Sequence, residues 1–465
     1  MNAPTLPFRS ALLWLAVLAM GAAPVRAAGA GFAVATFSAD VTIPPGHAMI
    51  GGGNFYSSVV VDPLYAKGVV LLGGGSPIVF VSVDWCEIRN DAYTRWREVL
   101  AEAAGTTPDR VLVSAVHQHE APVVDLTAQR LMEAHGLDNS ICDLAFHEEA
   151  VQRVGRAVRE ALPKSRPITG LGIGQAKVER IASNRRYHLP DGSVSYNRTS
   201  AAAKNVLARD GEEGTIDPWL KTLTLWAGDE PVVALSTYAV HPMSYYRTGE
   251  ISADFVGIAR DRRQQDTPGC FQVYFSGASG NVTAGKYNDG TRMIRPLLAG
   301  RLYAGLLDAW QATQRTPLTK LEFRSTKVRI EPRRDAGFSV AELEAKLTPA
   351  TPPHERSLAA MGLSWRQRTD AGHELDVPLI DFGPAQLLLL PGEMYVEYQL
   401  AAQQLRPDSF VMVAGFGEAA TGYFPIERAW AEKDLNLDDW CWVAPGSEQP
   451  MLDAIRRVLV PGTPK

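Results

Sequence analysis

Basic clusters are scarce in this chain: in 465 residues no run of Lys or Arg exceeds a pair, and the formal net charge is −5. Without a basic stripe there is no electrostatic footprint for nucleic acid, so nucleic-acid partners are excluded. Apolar runs of spanning length are also missing beyond the N-terminus, which excludes a transmembrane domain. The GxSxG signature is absent, which argues against the nucleophile elbow of an α/β-hydrolase. Cysteine is sparse: Cys86, Cys142, Cys270 and Cys441 lie far apart and form no CxxC pair, so a thiolate zinc site is not expected. They are open to one or two disulfides, or to remaining buried thiols.

What is present describes a globular chain, 46% hydrophobic and 21% charged, with ample material for a large core. The N-terminus reads as a secretory signal over residues 1–27. Arg9 precedes an apolar stretch at 11–23, followed by Pro24 and a small-residue cleavage site after Ala27. The expectation is an exported protein, periplasmic or secreted.

Strand-like runs alternate with amphipathic helices, with enough consecutive strands to predict an α/β fold of mixed sheets flanked by helices. Residues 69–72 and 78–85 read as a strand pair. Tyr93, Trp96, Leu100 and Ala103 mark a helix ending by Gly105, and 111–116 is the next strand, which makes a βαβ unit. Ala150, Val151, Val154, Val158 and Leu162 mark another helix face, stopped before Pro163. Residues 168–175, 221–227 and 232–240 read as strands, the last two joined at Gly228-Asp229, and 450–459 as a closing helix. Segment 199–215 is expected to be a surface loop, and the break at 348–355 a loop inside one large domain covering 28–465. The GxGxG at 170–174 lies within a strand-like run with no helix start after it, so it is not a nucleotide loop.

Four apolar runs end at or near metal-capable side chains: 111–116 at His117, 235–240 at His241, 387–391 at Glu393 and 410–415 toward Tyr423. Ligands collect beyond the carboxyl ends of strands in α/β sheets, so these ends can converge. Two imidazoles, a carboxylate and a phenol suit Zn²⁺. His117-Gln-His119 follows a strand directly, and in an extended segment both imidazoles would face one pocket. Taken alone, that tract fits a pair of hydrogen-bonded loop histidines as well as a metal site.

The ordered landmarks FSADVT (37–42), MIGGG (49–53), VFVSVD (79–84), SAVHQHEAP (114–122), SNRRY (183–187), YAVHPMS (238–244), ISADFVGIA (251–259), SGNVTAG (279–285), LPGE (390–393) and TGYFP (421–425) resemble the neutral/alkaline non-lysosomal ceramidase family. The resemblance implies a catalytic α/β domain in which zinc hydrolyses the amide of an N-acylsphingosine. It places His117, His241, Glu393 and Tyr423 at the ligand positions, His119 as a substrate-facing acid/base or oxyanion donor, and Arg185 as an arginine lining the site. Asp254 is a candidate for orienting an imidazole as an outer carboxylate.

This sequence departs from the family pattern at Thr283, which stands where the family motif has a serine, and at Leu435, where a second tyrosine is expected. It also stops at Lys465, without the immunoglobulin-like C-terminal domain of the family. The expected activity is zinc-dependent hydrolysis of a linear amide, with ceramide or another N-acyl lipid as the first substrate. Hydrolysis of a different amide or ester, such as an N-acyl amino compound or a cell-envelope fragment, and a non-catalytic metal-binding role are the alternatives.

Overall fold

Strand and helix segments follow the apolar periodicity closely. The computed structural model describes Met1 and residues 31–137, 141–460 and 462, so the segment read as a signal peptide lies outside the described residues. Helix Asn90–Ala104 buries Tyr93, Trp96, Leu100 and Ala103 and stops at Gly105, whose φ of 65° suits a residue without Cβ. Helix Leu144–Ala161 is capped by the Asp143 carboxylate and ends at Leu162, ahead of Pro163.

Three principal sheets carry the fold. The first orders its five strands 111–115, 78–83, 65–72, 32–40 and 166–168. A second five-stranded sheet runs 271–276, 230–238, 219–227, 170–177 and 314–317. The third has four strands, 322–328, 375–381, 385–389 and 410–414. Each sheet contains one parallel pair: 78–83 with 111–115, 230–238 with 271–276, and 385–389 with 410–414. Each pair is joined through a helix, respectively Asn90–Ala104, Asp254–Asp266 and Val396–Leu405. Parallel pairing requires such a crossover.

One apolar interior is shared by all three sheets. Val69 and Phe80 of the first meet Leu223 and Phe275 of the second and Leu387 and Met412 of the third. The opposite faces are covered by helices, for instance Trp96 and Val154 over the first sheet and Phe255 and Leu302 over the second. Each fully buried aliphatic or aromatic side chain here contributes about 1.5–3 kcal/mol relative to exposure. Hydroxyls stitch the sheets where backbone carbonyls would otherwise go unpaired: Ser82 donates to Tyr274 O at 2.7 Å, Ser114 to Gly415 O at 2.8 Å and Ser276 to Val116 O at 2.7 Å.

Residues from Gly31 onward form one compact unit. The break at 348–355 lies inside it, and the helix Pro353–Asp370 already begins there, with Pro352 and Pro353 at its start. Segment 199–215 is more ordered than its composition implies. Asn205 caps a short helix, Val206–Asp210, and Ala202 and Ala208 bury against Tyr187. All four cysteines are buried free thiols, which resolves the disulfide alternative. No helix of the described residues is long and apolar enough to cross a membrane.

Candidate metal centre

The carboxyl ends of the three parallel pairs meet. His117 follows the strand Val111–Ala115 and His241 follows Glu230–Tyr238, while Glu393 lies just beyond Ala385–Leu389. Tyr423 sits beyond Phe410–Ala414 and pairs with Glu393 in a short parallel bridge. His117, His241 and Glu393 are essentially inaccessible to solvent. Convergence of the predicted strand ends is thus observed, drawn from three sheets rather than one.

Protonation states follow from the hydrogen bonds. His117 Nδ1 lies 2.8 Å from Cys86 O, and His241 Nδ1 lies 2.6 Å from Ser279 O. A carbonyl only accepts, so both Nδ1 atoms carry a proton and both Nε2 atoms turn to the cluster interior, where each can coordinate an ion once it is unprotonated. The two Nε2 atoms face each other at 3.1 Å, with Glu393 Oε2 at 3.0 Å from His241 Nε2 and 3.3 Å from His117 Nε2. A proton or a metal ion must lie between these three atoms, since a carboxylate and two unprotonated Nε2 atoms would repel. Ligand atoms about 2.0 Å from a tetrahedral ion stand roughly 3.3 Å apart, so this donor set fits zinc. The alternative trio of Cys86, His117 and His119 does not, because the Cys86 sulfur approaches Nδ1 of His117, which is already donating, at 3.8 Å. Burial pushes the Cys86 thiol up.

Burial lowers the His117 imidazole, but Cys86 and Glu393 outweigh it and hold the group well above its usual range, so an ion binding at its Nε2 would displace a proton. Burial raises the Glu393 carboxyl, but the His117 and His241 imidazoles outweigh it and hold the group well below the usual carboxylate range. Burial lowers His241 to about 4, which keeps its Nε2 free to coordinate. For Tyr423, burial raises the phenol and Arg185 opposes the rise.

His119 reaches the cluster by a different route from the one its sequence implied. His117 is not extended but left-handed, with φ 74°, and its ring stacks on Phe416 at 4.1 Å. This turn brings His119 Nε2 to 3.3 Å from His117 Nε2, while His119 Nδ1 is buried without a partner. Burial, followed by the charges of His117 and His241, holds the His119 imidazole well below its usual range. Arg185 stands with its guanidinium 5.0 Å from the Tyr423 ring and donates to Asn436 Oδ1 at 2.5 Å.

Two candidates are not brought to the cluster. The Thr283 hydroxyl points away, donating to Thr199 O at 3.4 Å and accepting from Gly285 N at 3.0 Å, because Thr283 pairs with Ser183 in a short bridge. Asp254 orients no imidazole. Its carboxylate accepts from Ser244 N at 3.1 Å and lies 3.5 Å from Arg295, since the orienting acceptors are the Cys86 and Ser279 carbonyls instead.

Sequence reasoning missed Glu87. It is fully buried and bonded to Arg89 at 2.7 Å and Trp440 Nε1 at 2.9 Å. Burial, only partly offset by Arg89, and the neighbouring Glu393 raise its carboxyl to about 7. An acid two residues past the apolar run 78–85 was the available signal.

A cavity of about 230 Å³ opens on the cluster. His117, His119, Glu393 and Tyr423 form its floor, and Ile50, Tyr246, Arg247, Leu435 and Trp440 are among its walls. No family model and no curated protein sequence matches the chain. Solved structures do. The crystal structure of neutral ceramidase from Pseudomonas aeruginosa superposes with a TM-score of 0.66 at 18% identity, covering 93% of this chain and 74% of that one. A ceramidase complexed with C2 gives a TM-score of 0.66 at 16% identity, covering 93% and 75%. The fold of residues 31 onward is therefore the fold shared by these ceramidase structures.

Proposed function

We propose that this chain is an exported, zinc-dependent amidase that cleaves the amide of an N-acyl lipid or a related linear amide. The observation that carries the reading is the facing of two Nε2 atoms and a carboxylate, at 3.0–3.3 Å, on the floor of a cavity. Similarity in fold to ceramidase structures supports it.

His117, His241, Glu393 and Tyr423 would hold the ion. Bound there, zinc supplies Lewis acidity, polarising a carbonyl and making water acidic enough to attack near neutral pH. The protein does the rest. The Cys86 and Ser279 carbonyls lock both imidazoles with Nε2 facing inward, so little reorganisation is needed. His119 Nε2 is positioned to take the proton of attacking water and return it to the departing amine, which must be protonated to leave. Arg185 holds Tyr423 and Asn436 against the cavity floor. Thr283 takes no nucleophilic part, since its hydroxyl is committed to backbone.

The test is a panel of N-acyl amides of matched chain length, run on zinc-replete and chelated protein. Turnover that needs zinc, disappears in Glu393→Ala and falls about 10²–10⁴-fold in His119→Gln is expected. Silence across the panel, or turnover indifferent to chelation, sinks the reading.

A further inference from the structure

Among the described residues Arg247, on the cavity wall, forms no ion pair. Arg247 is exposed, lines the cavity beside His119 and Tyr246, and also lines the adjoining hollow formed with Asn54, Ser58 and Glu120. Its guanidinium is held by two rings, 4.5 Å from the centroid of Phe55 and 5.3 Å from that of Tyr246. Its backbone is left-handed, with φ 64°, a conformation that costs a residue with Cβ and that sets the direction of this side chain.

The acids nearby do not pair with it. Glu250 pairs with Arg292, Glu120 Oε1 accepts from Thr248 N and Oγ1, and Asp439 faces His354 at 3.9 Å. Among the described residues no carboxylate forms an ion pair with Arg247. A guanidinium fixed by aromatic faces keeps its N–H fork free, and that fork matches a carboxylate or phosphate with two parallel hydrogen bonds.

Only one aromatic ring stands between Arg247 and the catalytic floor: Tyr246 lies edge-on to His119 with centroids 5.3 Å apart. An anionic group bound by Arg247 therefore lies one ring's breadth from an amide held beside His119. Across the cavity, Leu435 and Trp440 present apolar surface suited to an acyl chain. We infer that the substrate is an N-acyl amine whose amine portion carries an oxyanion on a short arm, with Arg247 as the residue that selects for it. The inference rests on the amidase reading for its scissile bond, but not for its binding site.

Calorimetric titration separates the two. The probes are N-lauroylglycine, N-lauroyl-phosphoethanolamine and the neutral N-lauroylethanolamine, added to the zinc-loaded protein. At least one anionic probe should bind about tenfold tighter than the neutral one, and which of the two does so distinguishes carboxylate from phosphate. That ratio should collapse toward unity in Arg247→Ala, survive in part in Arg247→Lys and invert in Arg247→Glu. Equal binding of all three probes, no binding at all, or a preference that persists in Arg247→Ala overturns the inference; persistence there combined with loss in His241→Ala would place the anion on the metal ligands. Selective binding without hydrolysis leaves Arg247 as an anion-recognising residue and removes the amidase reading. Hydrolysis of the neutral probe without anion preference does the reverse.

Discussion

Glu120 shows how a single buried acid shapes the molecule's response to pH. It is inaccessible to solvent, its Oε1 takes both the N–H and hydroxyl of Thr248, and its Oε2 has no partner. Burial, only partly offset by those bonds, lifts its carboxyl to about 7. Between the unfolded value near 4.5 and this raised value the native state binds more protons than the unfolded one, so this group's contribution to stability falls as pH rises through that window. Glu120→Gln keeps an acceptor for Thr248 and removes the charge. The variant should be more stable than the parent at pH 8 by on the order of 1–3 kcal/mol and equal to it near pH 4, as read from urea unfolding at the two pH values. A gap that does not change with pH would refute the assignment.

At the scale of elements, the metal centre depends on how closely the loop after Phe271–Ser276 approaches the Glu393 bridge. Gly280 N donates to Met394 O at 2.8 Å, and a Cβ at Gly280 would come within 2.1 Å of Glu393 O. The same loop supplies Ser279 O to His241, so one segment sets two ligands. Gly280→Ala must push the Glu393 strand aside. Zinc affinity is expected to fall about 10–100-fold, the usual cost of disturbing groups that support ligands. Competition with a chromophoric chelator measures this, and an unchanged affinity would show that the bridge can yield without cost. On the other side of the site, Asp125 caps helix Leu126–Glu133 through Ala128 N and accepts from Asn90 and Ser364, tying that helix to Pro353–Asp370.

For the whole molecule, the candidate ligands His117, His241 and Glu393 come from all three principal sheets, so an ion bound there would cross-link elements far apart in sequence. An ion that binds only the native state adds stability in proportion to the logarithm of its concentration, about 2.7 kcal/mol at a hundredfold excess over Kd. Thermal unfolding of the parent should shift upward with added zinc and downward with chelator. His117→Ala and His241→Ala should lose that dependence. A melting temperature indifferent to zinc in the parent would count against the centre.

The sequence by itself determined the elements and the residue types of the site. Strand and helix periods of 2 and 3.6 are local properties, which is why 69–72, 78–85, 111–116 and helix Asn90–Ala104 were legible, as was the placement of His117, His241 and Glu393 at apolar strand ends. Tertiary structure alone decided that three sheets, not one, deliver those ends. It also decided the left-handed turn at His117, the Cys86 and Ser279 carbonyls that set the tautomers, the burial of Glu87 beside Glu393, and the turning of Thr283 into backbone. Each of these depends on where a loop lies against a segment well removed in sequence, for instance 31 residues for Cys86 and His117 and 84 for Thr199 and Thr283, and no local period records that distance.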